Sequence, residues 1–348
     1  MTLGVSEAQS PEGGLPADHL ADTAEAKQIE GRSLGQIAWA RLKKDKIAVA
    51  SAIVILIIIG VAIFAPLIVK INGFPPDQFN KVDANGDPLL NTRDGGIPIG
   101  GLWGSGMSSE HWLGVEPQNG RDVFSRLVYG TRVSLLVALG GTIIAIVLGT
   151  VIGMVSGYFR GTVDTLLSRL MDIILSFPYL LFVMALTPVI ADRGQDLFGI
   201  PDNNTLRMGV LMFVLGFFGW AYLARIVRGQ VLSLREREFV EAARSLGAGP
   251  AYVIFRQILP NLIPTLLVYT TLLIPSYITA EAALSFLGVG IKEPTASWGR
   301  MIDDASDWIE SNPLYLFFPG TALFITVLAF NLLGDSVRDA LDPRAGRS

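Results

Sequence analysis

Asp172 and Glu281 are carboxylates set in otherwise apolar stretches, an expensive placement that proton or sodium carriers exploit. Each also has a structural role open to it. Asp172 follows Arg169 by three residues, at ion-pairing distance along a helix, and Glu281 suits a hydrogen-bonding post. A second acidic pattern, DANGDPLLNTRD from Asp83 to Asp94, alternates oxygen ligands like the start of a calcium loop. Pro88 stands where such a loop needs glycine, and Asp94 where it needs a bidentate Glu, so a β-turn at Asn85-Gly86 between short strands is the simpler expectation. His19 and His111 lie far apart in polar segments and are expected to be solvated. The chain has no Cys, which excludes disulfides, thiolate catalysis and Cys-based metal sites. None of its lysines sits in the glycine-rich phosphate loop of an ATPase, so no metal, cofactor or catalytic residue is expected on this polypeptide.

The elements that position these groups are apolar. Of 348 residues, 51% are hydrophobic and 17% charged, with mean hydropathy +0.48, which places the chain among all-α multispanning membrane proteins. Six spans are expected, at about 47–69, 133–158, 166–190, 208–226, 262–287 and 314–333. Residues 1–46 are polar and lack the basic and apolar regions of a cleaved signal, so they are expected to be a flexible tail. Residues 70–132 form a long loop rich in Gly, Pro and Asn. Residues 133–335 hold five spans, and residues 336–348 form a second tail. With the N-terminus in the cytoplasm, 17 of the 27 Lys and Arg fall on the cytoplasmic side and 10 on the other, favouring both termini inside. Trp103 and Trp112 then lie in the outer loop, and Trp298 and Trp308 are expected at the outer headgroup boundary.

The long cytoplasmic segment 235–261 contains EFVEAARSLGAGPAYVIFRQILP. Phe239, Ala242, Ala243 and Leu246 recur at helical spacing and make one apolar stripe, with Glu238, Glu241 and Arg244 on the polar flank. Gly247 supplies a left-handed stop and Pro250 a fresh first turn, while Pro260 and Pro264 mark re-entry into the membrane. On pattern alone the stripe serves either docking into a groove or rest on a membrane surface. Within the spans, Gly149, Gly153 and Gly157 repeat every four residues and suit close helix contact, inside the chain or with a partner. Phe217, Phe218 and Trp220 either line a peptide-sized passage or pack, and Pro178, Pro188, Pro275 and Pro319 are candidates to kink their helices.

Glu241-Ala242-Ala243, three residues, Gly247, then Ile258-Leu259-Pro260 resembles the EAA loop of permease subunits of ABC importers, with Gln257 where the common pattern has Ile. HWLGVEPQNGRDVFSRLVYGTRVSLL, AEAALSFLGVGIKEPTASWGRMI and FNLLGDSVRDALDPR extend the resemblance to the C-type permeases of the dipeptide, oligopeptide and nickel importers, from Ile47 onward. Three residues, Pro117 to Asn119, separate Gly114-Val115-Glu116 from Gly120-Arg121-Asp122, where the family commonly has two, and the loop from Ile71 to Glu110 is longer than usual. The resemblance implies a MetI-like permease fold of six transmembrane helices in a bacterial cytoplasmic membrane, with 235–261 as the coupling loop. It implies that Phe239, Glu241, Ala242, Ala243, Arg244, Leu246, Gly247 and Pro260 meet a cytoplasmic ATPase, Glu241 and Arg244 by pairing with it. ATP and Mg would sit on one or two such ATP-binding subunits. The other implied partners are a homologous B-type permease that completes the pathway and an extracytoplasmic solute-binding protein, with no nucleic acid. Substrates across the family run from di- and oligopeptides to nickel chelates, haem and oligosaccharides. The competing function is an ion-coupled secondary transporter using Asp172 and Glu281; a membrane scaffold would also use the loop but gives no reason for the Pro and Gly interruptions.

Overall fold

A computed structural model describes residues 34–199 and 204–341; His19 and most of the N-terminal tail fall outside them. Residues 34–44, expected within a flexible tail, instead form helix α1 (Leu34–Lys44). Asp45 ends α1 and caps α2 (Lys46–Asn72), its carboxylate accepting the Ile47 N–H at 2.9 Å. At 27 residues, α2 spans about 40 Å at 1.5 Å per residue, enough to cross a bilayer core, and it stops at Gly73 in the left-handed conformation (φ 87°).

The following loop contains a two-residue antiparallel pair, β1 (Leu90–Asn91) and β2 (Ile97–Pro98). The calcium-like stretch is a turn. Asp83 Oδ1 accepts the N–H groups of Asn85 at 2.9 Å and Asp87 at 2.8 Å, Gly86 sits at φ 88°, and Val82 bridges Pro88. The extra residue between Glu116 and Gly120 is absorbed where Gln118 takes a left-handed φ of 63° and its N–H donates to Gly96 O at 2.8 Å. Asp122 then caps α3 (Val123–Tyr158) through the Ser125 N–H.

The third expected span is two helices, α4 (Thr162–Ser176) and α5 (Tyr179–Phe198), bent 86° apart at Phe177-Pro178. Proline cannot continue a helix and biases the residue before it away from helical dihedrals, which places the break there. α4 starts beside the end of α3, where Ser156 Oγ donates to Asp164 Oδ1 at 2.6 Å. α6 (Asn204–Leu234) starts at the opposite, loop-bearing face, where Asn204 Nδ2 donates to Thr295 Oγ1 at 2.9 Å, so the bent pair carries the chain across once. Then come α7 (Glu238–Ser245) and a rod of α8 (Pro250–Tyr252), a π-helical turn (Val253–Ile258) and α9 (Leu259–Phe286). Pro260 and Pro264 lie inside this continuous element, in its first half. α10 (Trp298–Ser306) lies at the loop face, and α11 (Pro313–Leu341) returns, helical well into the expected C-terminal tail. Ser336 Oγ on α11 donates to Asp45 Oδ2 at 2.7 Å, so the two described ends of the chain meet on one face.

α3 is the central column. Gly141, Ala145, Gly149, Gly153 and Gly157 form a smooth groove that receives α6. A Cβ on Gly149 would come within 2.9 Å of Leu223, on Gly153 within 2.6 Å of Ala224 O, and on Gly157 within 2.7 Å of Val231. The repeat thus packs inside this chain. On its other side α3 meets α2, α9 and α11 through Ile55, Leu135, Ala138, Ile274, Ile278 and Phe330.

A buried ionic knot closes the loop face. Arg121 Nε and Nη2 bond Glu116 at 2.5 and 2.7 Å, Nη2 also reaches Glu293 at 2.8 Å, and the Tyr315 hydroxyl donates to Glu116 at 2.8 Å. Arg126 lies 3.6 Å from both Glu116 and Asp304, and Arg300 pairs with Asp304 at 2.6 Å. The Glu116, Glu293 and Asp304 carboxylates converge, yet guanidinium groups face all three. His111 is no solvated loop residue: it is buried, its Nδ1 2.8 Å from Asp122 Oδ1 and its ring 4.3 Å from Phe74. Trp298 is likewise buried at the start of α10, its indole N–H donating to Leu127 O at 3.3 Å, and so marks no headgroup boundary.

Burial raises the Asp304 carboxyl to about 6; Glu116 and Glu293 push the same way, and Arg300 and Arg126 oppose them. Burial would also raise Glu293, but the Arg121 guanidinium outweighs it and holds that group below its ordinary value.

Two outcomes follow. Gly153→Val should lower the thermal unfolding midpoint of the purified protein, at an overpacking cost of about 1–3 kcal/mol. Gly60→Val, where nothing lies within 4 Å of a new Cβ, should leave it nearly unchanged, and equal effects would discount the seam. The folded state holds the Asp304 proton up to about pH 6, whereas the unfolded chain releases it near 3.8. Stability from this group is therefore greatest at low pH and falls as pH rises through 6, by about 1 kcal/mol between pH 5 and 7. Unfolding melts at those two pH values should show the loss in the native protein and not in Asp304→Asn; a slope that survives the substitution refutes it.

Candidate functional site

Three residues separate the end of α6 from α7, and the first of them, Arg235, ties that corner down by donating to Gly157 O at 3.1 Å and Tyr158 O at 2.9 Å. Arg160 and Glu236 pair beside it. The C-terminus of α7 is a Schellman cap: Ala248 N–H donates to Ala243 O at 3.0 Å, Gly247 N–H to Arg244 O at 2.9 Å, and Gly247 takes φ 83°. Only glycine adopts that conformation without strain, so the turn into Pro250 depends on it.

The four residues of the expected stripe face one depression but differ in depth. Val240, outside that stripe, points inward onto a core of Val227, Val231, Val253, Ile258 and Leu262, and Ala243 beside it is buried at the floor of the outer face. Phe239, Ala242 and Leu246 form the outward row, and Leu246 is 89% exposed. With Ala243, Gly247, Tyr252 and Gln257 they line an open depression of about 620 Å³ on the face where the two described chain ends meet. Val240 was legible in principle, being apolar three residues before Ala243. Tyr252 and Gln257 were not, because they reach the depression only when the chain turns at Gly247.

The charged flank divides. The Arg244 guanidinium lies 5.1 Å from the centre of the Tyr158 ring, folded back on its own chain, whereas Glu241 is exposed and makes no side-chain bond among the described residues. Pro260 is exposed just past the π turn, where Leu259 N–H reaches Ile254 O, one residue further back than in an α-helix. Proline has no N–H to give and crowds the preceding turn, and a π turn widens the helix at that point.

The intramembrane candidates separate cleanly. Asp172 pairs with Arg225 of α6 at 2.5 Å, not with Arg169, and both partners are half exposed. Glu281 is fully buried and accepts from Ser134 Oγ at 2.7 Å and Ser285 Oγ at 2.8 Å. Those serines also accept the N–H groups of Trp298 and Ile291, so Glu281 locks α3, α9 and the loop into α10. Neither acid has the wet, unpaired setting of an ion carrier, and the two belong to separate networks. Of the span-four aromatics, Trp220 is buried against Met171, Ala221 and Ala224, Phe217 is exposed and stacks on Phe213, and Phe218 touches Phe182.

Residues 149–347 match the family model described as binding-protein-dependent transport system inner membrane component, and residues 33–88 match that of the N-terminal TM domain of oligopeptide transport permease C. The chain is 37% identical over 329 residues to the oligopeptide transport system permease protein OppC of Escherichia coli (strain K12), covering 94% of this chain and 97% of that one. It is 35% identical to the dipeptide transport system permease protein DppC of Alkalihalophilus pseudofirmus, covering 88% of this chain and 89% of that one. It is 33% identical to the glutathione transport system permease protein GsiD of Pectobacterium atrosepticum, over 88% and 90%. Among solved structures, a chain of the MetNI methionine ABC transporter in an inward facing conformation superposes with a TM-score of 0.51 at 18% identity, over 63% of this chain and 97% of that one, which shows the MetI-like fold. Mostly helical, multi-pass and built on that fold, the chain belongs to the family of inner-membrane permease components of binding-protein-dependent ABC transport systems.

Proposed function

We propose that this permease forms half of the translocation pathway of an ATP-driven importer of di- and oligopeptides and takes its drive through the α7 face. The observation that carries the coupling role is the outward row of Phe239, Ala242 and Leu246, with Ala243 buried between them, held on Val240 where it packs into the core. An apolar row that exposed is what a helix seated in a partner's groove presents. Ala242 lets a partner's backbone come close, Gly247 fixes the turn, and Glu241 is free to pair across the joint. ATP and Mg belong to one or two cytoplasmic ATP-binding subunits, and this chain itself carries no cofactor and no catalytic residue. A homologous B-type permease completes the pathway and an external solute-binding protein delivers the cargo. The α7 face and both termini then lie in the cytoplasm, in line with the excess of Lys and Arg on that side. Peptide cargo is supported by relatives named for oligopeptides, dipeptides and the tripeptide glutathione.

Leu246→Asp puts a charge at the tip of the row for a folding cost within about 0.5 kcal/mol, since the site is exposed. Uptake of a labelled tripeptide by cells carrying the whole transporter should fall at least about tenfold while the amount of permease in the membrane stays normal; charge buried at a joint costs several kcal/mol. ATP hydrolysis by the co-purified subunits should stop responding to the binding protein. Undiminished uptake in Leu246→Asp, or uptake that follows a proton gradient and ignores ATP, would sink the reading.

A further inference from the structure

The 86° break between α4 and α5 opens a cavity of about 230 Å³ lined by Ile174, Phe177, Tyr179 and Phe218, with Tyr222 and Tyr277. Non-helical backbone within a span is tolerated only where it is packed in protein or borders a polar space. The Tyr179 and Tyr277 hydroxyls both lack a hydrogen-bond partner among the described residues. Tyr277 is only 5% exposed, and a phenol so enclosed ordinarily finds a partner. Its position is built: a Cβ on Gly219 would collide with the Tyr277 hydroxyl, so glycine alone admits it there. The walls are held by ring contacts, Phe182 on Phe177 at 5.1 Å and on Phe218 at 4.7 Å, and Tyr222 on Tyr269 at 6.4 Å.

We infer that this cavity is a station on the translocation path that takes one residue of a passing peptide, its backbone amides bonding the Tyr179 and Tyr277 hydroxyls. The inference rests on the peptide-permease reading above. A phenol both donates and accepts, and so does a peptide unit, whereas a lipid acyl chain does neither. The volume lies below the ~300 Å³ at which sites for whole small molecules begin, so the cavity holds part of a ligand. Aromatic walls accept side chains of many shapes, and two hydroxyls grip only what every peptide shares. Such a station is weak and indifferent to sequence, as a conduit needs: a ligand must leave as readily as it enters.

The test uses the whole transporter in proteoliposomes with its binding protein, and the tripeptide Ala-photoleucine-Ala as probe. Illumination during turnover should place adducts on residues 174–182, 218–222 or 277. Tyr179→Phe and Tyr277→Phe should each slow import at saturating binding protein by about twofold to tenfold, the loss of one hydrogen bond, while leaving thermal stability equal or higher. Gly219→Ala, which displaces the Tyr277 hydroxyl, should mimic Tyr277→Phe. If the native transporter imports the probe but both Phe variants import at the native rate, the hydroxyls meet only water or the partner permease and the proposal falls. Adducts confined to other positions overturn it equally. Failure of the native transporter to import any tripeptide would overturn the peptide reading itself, and this inference with it.

Discussion

The contact between α3 and α6 is the constraint on which the rest of the molecule depends. In a bilayer the lipid is as apolar as the side chains, so two helices gain nothing by hiding from water and must gain by touching closely. Gly149, Gly153 and Gly157 let Leu223, Ala224 and Val231 approach the α3 backbone, and Gly216 does the same in reverse against Ile144. Because α6 is fixed in height and rotation by that seam, its last turn delivers Arg235 to the free carbonyls at the end of α3. The α7 face is therefore placed by a packing decision made in the middle of the membrane.

The far end of the bundle is held by a different kind of force. There the chain gathers Glu116, Arg121, Arg126, Glu293, Arg300 and Asp304 from loops and helix ends distant in sequence, and buries Glu116, Arg121 and Arg126. Charges removed from water repel substitution, since loss of one partner strands another. Glu281 repeats the logic with neutral donors, spending both carboxylate oxygens on two serines. Small-residue packing thus governs one half of the molecule and polar saturation the other, and the glycine repeat of α3 runs between them.

The spans were legible in the sequence because apolar length is a one-dimensional quantity. So were the left-handed stop at Gly247 and the turn at Asn85-Gly86, which depend on single residues and their immediate neighbours. What escaped was whatever depends on a distant partner. His111 looked solvated because nothing near it in sequence announces Asp122 and Phe74 as its enclosure. Asp172 stands three residues from Arg169 on its own helix, but Arg225 reaches it from α6. The α7 stripe shows the same limit in miniature: periodicity tells that Ala243 and Leu246 share a side, and only the packed neighbours tell which of them is covered. Pro178 was legible as a kink but not as an 86° fold-back.

The rod from Pro250 to Phe286 carries a consequence of its own. It is a single element about 55 Å long, with the α7 depression at one end and the buried Glu281 clasp near the other. Pro260, Pro264 and Pro275 each delete a backbone hydrogen bond along it, and the π turn loosens it further. A displacement applied at the depression is therefore partly stored as bending before it arrives at the clasp. The two ends of the rod are thus joined by a helix that can bend at these positions instead of passing on every movement rigidly.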